Sequence, residues 1–363
     1  MKYVDEFRNA KLVNKLSARI QAMNPGNNIN IMEVCGTHTQ NFCRFGLAKL
    51  LPENIRLISG PGCPVCVSPQ SYIDTAIRLA KNKAMLIVTF GDMLHVPGSR
   101  SSLERERAKF GNVRVVYSPL DALSIARANP DKNVVFLAVG FETTAPTIAL
   151  SILEAQKEKL NNLFFLSSLK LIPAAMRYLL LDKRLKIDGF LCPGHVSAVI
   201  GTKDYTFIPK KYKIPCCIAG FEPVDILEGI AMIIEQLAAG NACVANQYTR
   251  VVAKTGNRKA REIIRRVFKR DDSEWRGLGI IPQSGLKLKN EFSGFDASRI
   301  FRVANMQNKA KPAKQCRCPD VLKGLIAPPD CPLFAQRCRP DKPLGPCMVS
   351  SEGACNAYYK FRR

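Results

Sequence analysis

Acidic side chains are scarce in this chain of 363 residues: 30 Asp and Glu stand against 54 Lys and Arg, a net charge of +24. Histidine is scarcer still, with three residues. No apolar run reaches the roughly 20 residues that span a bilayer, so no membrane helix is expected. The N-terminal MKYVDEFRNAKLVNKL has no apolar core and no small-residue cleavage site, so the expected compartment is the cytoplasm. Neither a Walker A sequence nor G-x-G-x-x-G occurs, and nothing speaks for nucleotide binding. Helix-turn-helix, RNA-recognition and zinc-finger patterns are absent too. Their absence weakens the nucleic-acid reading that +24 invites. The densest basic stretch, between Arg250 and Arg270, carries Ile263, Ile264, Val267 and Phe268 at helical spacing. It reads as a solvated helix face; an acidic protein partner is a second use for the charge.

Cysteine, by contrast, is plentiful: there are 14. Cytoplasmic redox conditions disfavour structural disulfides, so metal binding or thiol chemistry comes first. Cys43, Cys216, Cys217 and Cys243 sit in apolar stretches without ligand spacing and serve equally well as small buried hydrophobes. The tail is different. Cys316, Cys318, Cys331, Cys338, Cys347 and Cys355 fall within 40 residues rich in proline. The segment is too poor in apolar residues to fold well on burial alone, a deficit that a metal cluster would offset. Structural zinc sites favour tight C-x-x-C pairs. The tail has none, its spacings being 1, 12, 6, 8 and 7 intervening residues. An iron–sulfur cluster wrapped by a loop suits these spacings better than zinc.

A helix is expected from about residue 4 to 23, ending before Asn24-Pro25-Gly26. Short apolar runs follow at Ile29–Val34, Ile55–Ser59, Ala84–Phe90, Val113–Tyr117, Val134–Val139, Leu163–Leu166, Phe190–Leu191 and Tyr212–Ile218. Helical patterns alternate with them at Tyr72–Ala80, Leu120–Ala128 and Ile148–Lys157. Such alternation implies α/β folding around mainly parallel sheets, with binding loops at the carboxyl ends of the strands. IMEVCGTH and GFLCPGH echo one another, each placing C-x-x-H after an apolar run. The echo suggests two similar parallel-sheet α/β domains facing a central cleft, followed by a smaller C-terminal iron–sulfur domain. The expected divisions are an N-terminal helix over 1–25, α/β domains over 26–128 and 129–245, and a cluster domain over 246–363.

The chemistry sits in the strand-end loops. Cys35-Gly36-Thr37-His38 offers a thiolate and an imidazole in one turn, as iron ligands or as a thiol with its base. Cys63-Pro64-Val65-Cys66 follows a tight Gly-Pro-Gly turn and precedes a helix, the setting of redox dithiols and of soft-metal pairs. Glu142-Thr143-Thr144, Asp92 with His95, and His195 add polar groups at further strand ends. Singly each could be a helix cap; their expected convergence favours a site.

EVCGTHT, SGPGCPVCV, FGDMLHVPG, VGFETTAPT, CPGHVS and the tail CPLFAQRC…GPCMVSSEGACNAYY resemble the HypD family of hydrogenase maturation proteins, from about residue 5 to the end. The resemblance implies a scaffold without ordinary turnover. On it, together with the small protein HypC, the iron of [NiFe]-hydrogenase receives cyanide and carbon monoxide. The cyanide comes from HypE. By motif, Cys35 corresponds to the iron-site thiolate with His38 nearby, Cys63 and Cys66 to the redox or iron-binding pair, and Glu142 and His195 to residues lining the same cleft. The family's [4Fe–4S] ligand spacing of 14, 6 and 16 residues falls on Cys316, Cys331, Cys338 and Cys355. Cys318 competes with Cys316 for the first place, and Cys347 falls outside the pattern. Pro319 stands where relatives commonly have glycine, which bears on that choice. Two rival readings remain: an iron–sulfur-driven thiol–disulfide reductase, and a zinc-stabilised basic protein that binds nucleic acid.

Overall fold

The computed structural model describes residues 5–303 and 316–361. The expected helix start at residue 4 and tail residues 311–315 lie outside the described residues. Eleven strands are described: β1 Ile29–Glu33, β2 Ile55–Ser59, β3 Met85–Thr89, β4 Val113–Val115, β5 Asn133–Gly140, β6 Leu163–Lys170, β7 Gly189–Pro193, β8 Cys216–Ala219, β9 Val244–Asn246, β10 Phe268–Trp275 and β11 Gly279–Leu288. They form two sheets. The first is parallel throughout, in the order β2-β1-β7-β8-β9. The second runs β10-β11-β6-β5-β3-β4, parallel from β6 to β4 and antiparallel where β11 joins β6 and β10. The class is α/β with two mostly parallel sheets, as expected.

Both faces of each sheet are covered, and the apolar residues divide between the faces with period two. In β3 and β5, Leu86, Val88, Val134, Phe136 and Ala138 face one core; Met85, Ile87, Val135, Leu137 and Val139 face another. The second of these cores also takes Met32 and Val34 from the β1 run, Phe190 and Cys192 of β7, and Cys216 and Ile218 of β8. It lies between the sheets, and five tail cysteines, Cys318, Cys331, Cys338, Cys347 and Cys355, are buried in it. Ile29, Ile31, Leu191 and Cys217 face outward under the helix Pro223–Ala238.

Three expectations need correction. A boundary at 128/129 cuts the second sheet, because β3 and β4 pair directly or through β3 with β5 beyond it. The chain crosses between sheets instead: 29–59 and 189–246 build the first, 85–170 and 268–288 the second. The echo does not mark two facing halves either. The strands IMEVCGTH and GFLCPGH are β1 and β7, paired at Ile31–Gly189, Met32–Phe190 and Glu33–Leu191 in one sheet. Finally, Tyr212 ends the helix Phe207–Tyr212, and Lys213 follows at φ 58°, so β8 begins only at Cys216. The basic stretch folds as expected into the helix Arg258–Val267, with Val267 buried and Ile263 and Ile264 packed on the second sheet's outer core. Among the described residues no helix is long and apolar enough to cross a membrane.

Candidate functional site

The carboxyl edge of the first sheet gathers thiols and imidazoles. β1 runs straight into Cys35, which precedes the helix Gly36–Arg44. β2 runs into Gly60-Pro61-Gly62 and the short helix Pro64–Val67. The two loops are joined through Gly62: its carbonyl accepts the Gly36 amide at 3.0 Å, and a Cβ on it would overlap the Cys35 backbone. Glycine is required there by close approach, not by φ. Cys63 and Cys66 are joined as a disulfide.

Cys35 is buried, and burial pushes its thiol up to about 12, with the Glu352 carboxylate adding to the shift. The thiol is therefore protonated at neutral pH. Behind it lies Glu33, 1% exposed, which accepts the Cys35 amide at 3.2 Å and the Thr39 hydroxyl. Burial raises the Glu33 carboxyl to about 8. His38 is fully buried; its Nε2 donates to the Gly220 carbonyl at 2.8 Å, and burial lowers it to about 4. The ring is thus neutral, and Nδ1 keeps its lone pair with no partner among the described residues. Phe221, just after β8, stacks on His195 at 4.1 Å and lies 4.9 Å from His38. The ends of β1, β2, β7 and β8 therefore bring Cys35, His38, the Cys63–Cys66 pair and His195 to one edge.

The tail docks on this edge. The helix Ala354–Phe361 packs on Gly36–Arg44. The Glu352 backbone comes so near Gly36 that a Cβ there would stand 2.5 Å from its carbonyl oxygen, and the Glu352 carboxylate accepts the Thr37 hydroxyl at 2.7 Å. Pro346 places its carbonyl 3.7 Å from Cys66 Sγ, so the segment holding Cys347 touches the disulfide. All six tail cysteines are free thiols. Cys316 and Cys347 are raised first by hydrogen bonds to Cys318, and Cys355 is drawn down to about 6 by hydrogen bonds from Cys318 and Cys347. Cys338 accepts the Leu344 amide at 3.3 Å, and burial raises it. Gly345 lets these thiols close up: a Cβ there would lie 2.6 Å from Cys318 Sγ and 2.8 Å from Cys316 Sγ. Cys331 is buried in the same core. Cys316, Cys347 and Cys355 are thus linked by hydrogen bonds around Cys318; among the described residues no set of three or more His, Cys, Asp or Glu side chains is arranged to hold a metal ion.

Arg276 joins the pieces. Its amide donates to Val67 at 2.8 Å, and its guanidinium to Ser68 at 2.7 Å and Gln70 at 3.1 Å. Nη2 is buried without a partner among the described residues, and the charges nearest in effect are Cys318, Cys347 and Cys316. A buried guanidinium calls for a negative counter-charge, and the thiols are its neighbours.

Two expected members stand apart. His95 is exposed and pairs with Glu104 at 3.2 Å. Glu142 lines a separate pocket, where it accepts the Ile172 amide at 3.0 Å and burial raises it to about 8. Asp92 is exposed but close enough to raise Glu352 further, after burial. Glu33, Glu352 and Arg276 were not anticipated. Only Glu33 left a signal, as an acid within the apolar run INIMEV.

Fold and site define a thiol-rich α/β protein whose cysteine-bearing tail seals the edge of a parallel sheet against a disulfide. A sequence profile described as "HypD: Hydrogenase formation hypA family" matches residues 11–362. The chain is 47% identical over 374 aligned positions to the hydrogenase maturation factor HypD of Azotobacter vinelandii, covering 100% of this chain and 97% of that protein. It is 44% identical over 371 positions to HypD of Escherichia coli K12, covering 100% and 99%, and 43% over 373 to HypD of Cupriavidus necator, covering 100% and 98%. The chain belongs to the HypD family of hydrogenase maturation factors.

Proposed function

We propose that this chain is a redox-active cytoplasmic scaffold which, together with HypC, holds iron while it receives cyanide and carbon monoxide, the cyanide coming from HypE. One observation carries the reading: Cys35, the Cys63–Cys66 disulfide and the tail thiols are packed in continuous contact through Gly62 and Pro346. Iron is the cargo. The Cys35 thiol holds its proton at neutral pH because it is buried beside Glu352, so a thiolate forms there only when a cation takes the proton's place. The soft sulfur suits a low-spin iron carrying strong-field ligands. Neutral His38 offers a lone pair at Nδ1 for a second contact or for a proton.

Opening the Cys63–Cys66 disulfide takes up two electrons and two protons and yields two thiols beside Cys35. The donor set of the tail fits a thiolate-bound cluster. Its sulfurs are soft and largely buried, Gly345 leaves room for them, and the Leu344 amide already faces the Cys338 sulfur. Cys316, Cys331, Cys338 and Cys355 would hold a [4Fe–4S] cluster by spacing, with Cys318 and Cys347 close competitors by contact. Such a cluster, when bound, supplies single electrons. Arg276 then has the anionic neighbour that its burial demands.

Cys35→Ala should abolish the infrared bands of iron-bound cyanide in the complex with HypC, while leaving the brown colour of the tail cluster. Undiminished bands would overturn the assignment. Zinc in place of iron in anaerobically purified protein, with salt-dependent binding to DNA or RNA, would favour the nucleic-acid reading instead.

A further inference from the structure

A cavity of about 440 Å³ lies away from the thiol edge, where the end of β6 and the helix Ile172–Leu179 meet the helix Arg258–Val267 and the β10–β11 hairpin. Its volume falls in the range of small-molecule sites. Leu171, Ile200, Phe268 and Leu286 supply apolar wall. Four arginines also line it: Arg177, Arg261, Arg265 and Arg270.

Arg261 is already committed. It donates to the Ile200 carbonyl at 2.6 Å and the Thr255 carbonyl at 3.1 Å, and lies 3.8 Å from Asp204. The other three have no ion-pair partner among the described residues. Arg177 is held with its guanidinium 3.8 Å from the Phe207 ring centroid. Asp204, the one other acid besides Glu142 on the lining, is taken up by Arg261. Glu142 brings no fixed negative charge at neutral pH, because burial keeps its carboxyl protonated up to about 8. Gln283, also on the lining, is held at φ 53°, a left-handed conformation that a non-glycine residue adopts at a cost, with its amide tied to Asp272 at 3.0 Å.

We propose that this pocket binds a phosphate monoester, with Arg177, Arg265 and Arg270 on the phosphate and the organic group against Leu171, Ile200 and Phe268. Three guanidiniums without an acidic partner among the described residues match a dianion better than a carboxylate, and their planar forks suit phosphate oxygens. The apolar wall selects for an ester over the free ion. This assignment stands independently of the scaffold reading, since none of the thiols lines the pocket.

Isothermal titration of the full chain with phenyl phosphate, inorganic phosphate and benzoate tests it. Phenyl phosphate should saturate one site and bind tighter than either of the others, by about tenfold over benzoate. The exposed pair Arg265→Gln with Arg270→Gln should weaken phenyl phosphate at least about tenfold, and Arg177→Gln alone should weaken it in the same direction. Lys210→Gln with Lys211→Gln, an equal loss of charge on a neighbouring helix, should leave it unchanged. No saturable binding up to about 10 mM overturns the proposal. So does benzoate binding as tightly as phenyl phosphate, or an equal loss in the arginine and lysine variants.

Discussion

The two sheets end in loops of the same make, glycine and polar residues after a buried strand, yet they use them differently. At the first sheet the loops after β1, β2, β7 and β8 close on one another and are sealed by the tail. Polar groups there are buried, uncharged and tightly spaced: the Cys35 thiol, neutral His38 and protonated Glu33. At the second sheet the loop after β3 opens to water with Asp92 and His95, while the loop after β5 turns Glu142 into an arginine-lined pocket. The lesson concerns coverage. A strand-end loop becomes a site of desolvated thiols only where another segment lies over it, and here that segment is the tail.

The sharpest break in the comparison is a methyl group. Gly62→Ala would drive a Cβ into the Cys35 backbone, which has β1 on one side and its helix on the other. Overpacking of this kind should cost about 3 kcal/mol and displace the Cys63–Cys66 loop. Gly91, at the matching place after β3, has its nearest neighbour at 3.8 Å from such a Cβ. Gly91→Ala should stay within about 0.5 kcal/mol of the parent. Denaturant midpoints of the two variants measure the difference directly; equal costs would mean that the first edge is no more tightly closed than the second.

Much of this contrast was hidden from the sequence for definite reasons. Strands buried on both faces leave continuous apolar runs, so β1, β3 and β5 were legible to within a residue or two. The hairpin was not. β10 reads FKRDDSEW, with only its two ends buried, and nothing in that string resembles a core strand. β9 has three residues and lies at a sheet edge. Sheet membership was also illegible, because a strand's own residues do not say which neighbour it will find. β1 and β7 look alike since they share one sheet and one edge. Motifs did locate Cys35, His38, Cys63, Cys66 and His195 at that edge, whereas Glu352 and Arg276 reach it only through tertiary docking.

A pH series sharpens the comparison through one buried carboxyl at each edge. Burial raises Glu33 and Glu142 from an ordinary 4.5 to about 8 in the folded chain. Each binds a proton in the folded state that the unfolded chain has released. Their contribution is therefore fully present below about pH 4.5 and is lost as pH rises through 8. Between these limits each group tilts stability downward by about 1.4 kcal/mol per pH unit. Glu142→Gln should flatten the dependence measured by denaturant midpoints between about pH 5 and 8 by that amount, and Glu33→Gln by a similar amount at the other edge. If only Glu33→Gln flattens it, the pocket around Glu142 admits water freely and the two edges differ more than their burial shows.

The smallest expected effect belongs to His95. It follows the end of β3 by six residues as His38 follows the end of β1 by five, but its ring is half exposed and its partner Glu104 is exposed as well. An exposed ion pair contributes little after screening and side-chain ordering, so His95→Ala should change stability by no more than about 0.5 kcal/mol. His38→Ala removes a fully buried ring that packs on Phe221 and donates to the Gly220 carbonyl. It should cost about 2 kcal/mol and leave that carbonyl unpaired. His38 also makes stability depend on pH. Burial lowers His38 to about 4, so its contribution is present above its ordinary 6.5 and is lost as pH falls through 4. Acid titration of the parent and of His38→Ala should therefore diverge on the acid side, with the variant the flatter of the two. A His95→Ala profile that departs from the parent as much would show that the open edge, too, is covered in solution.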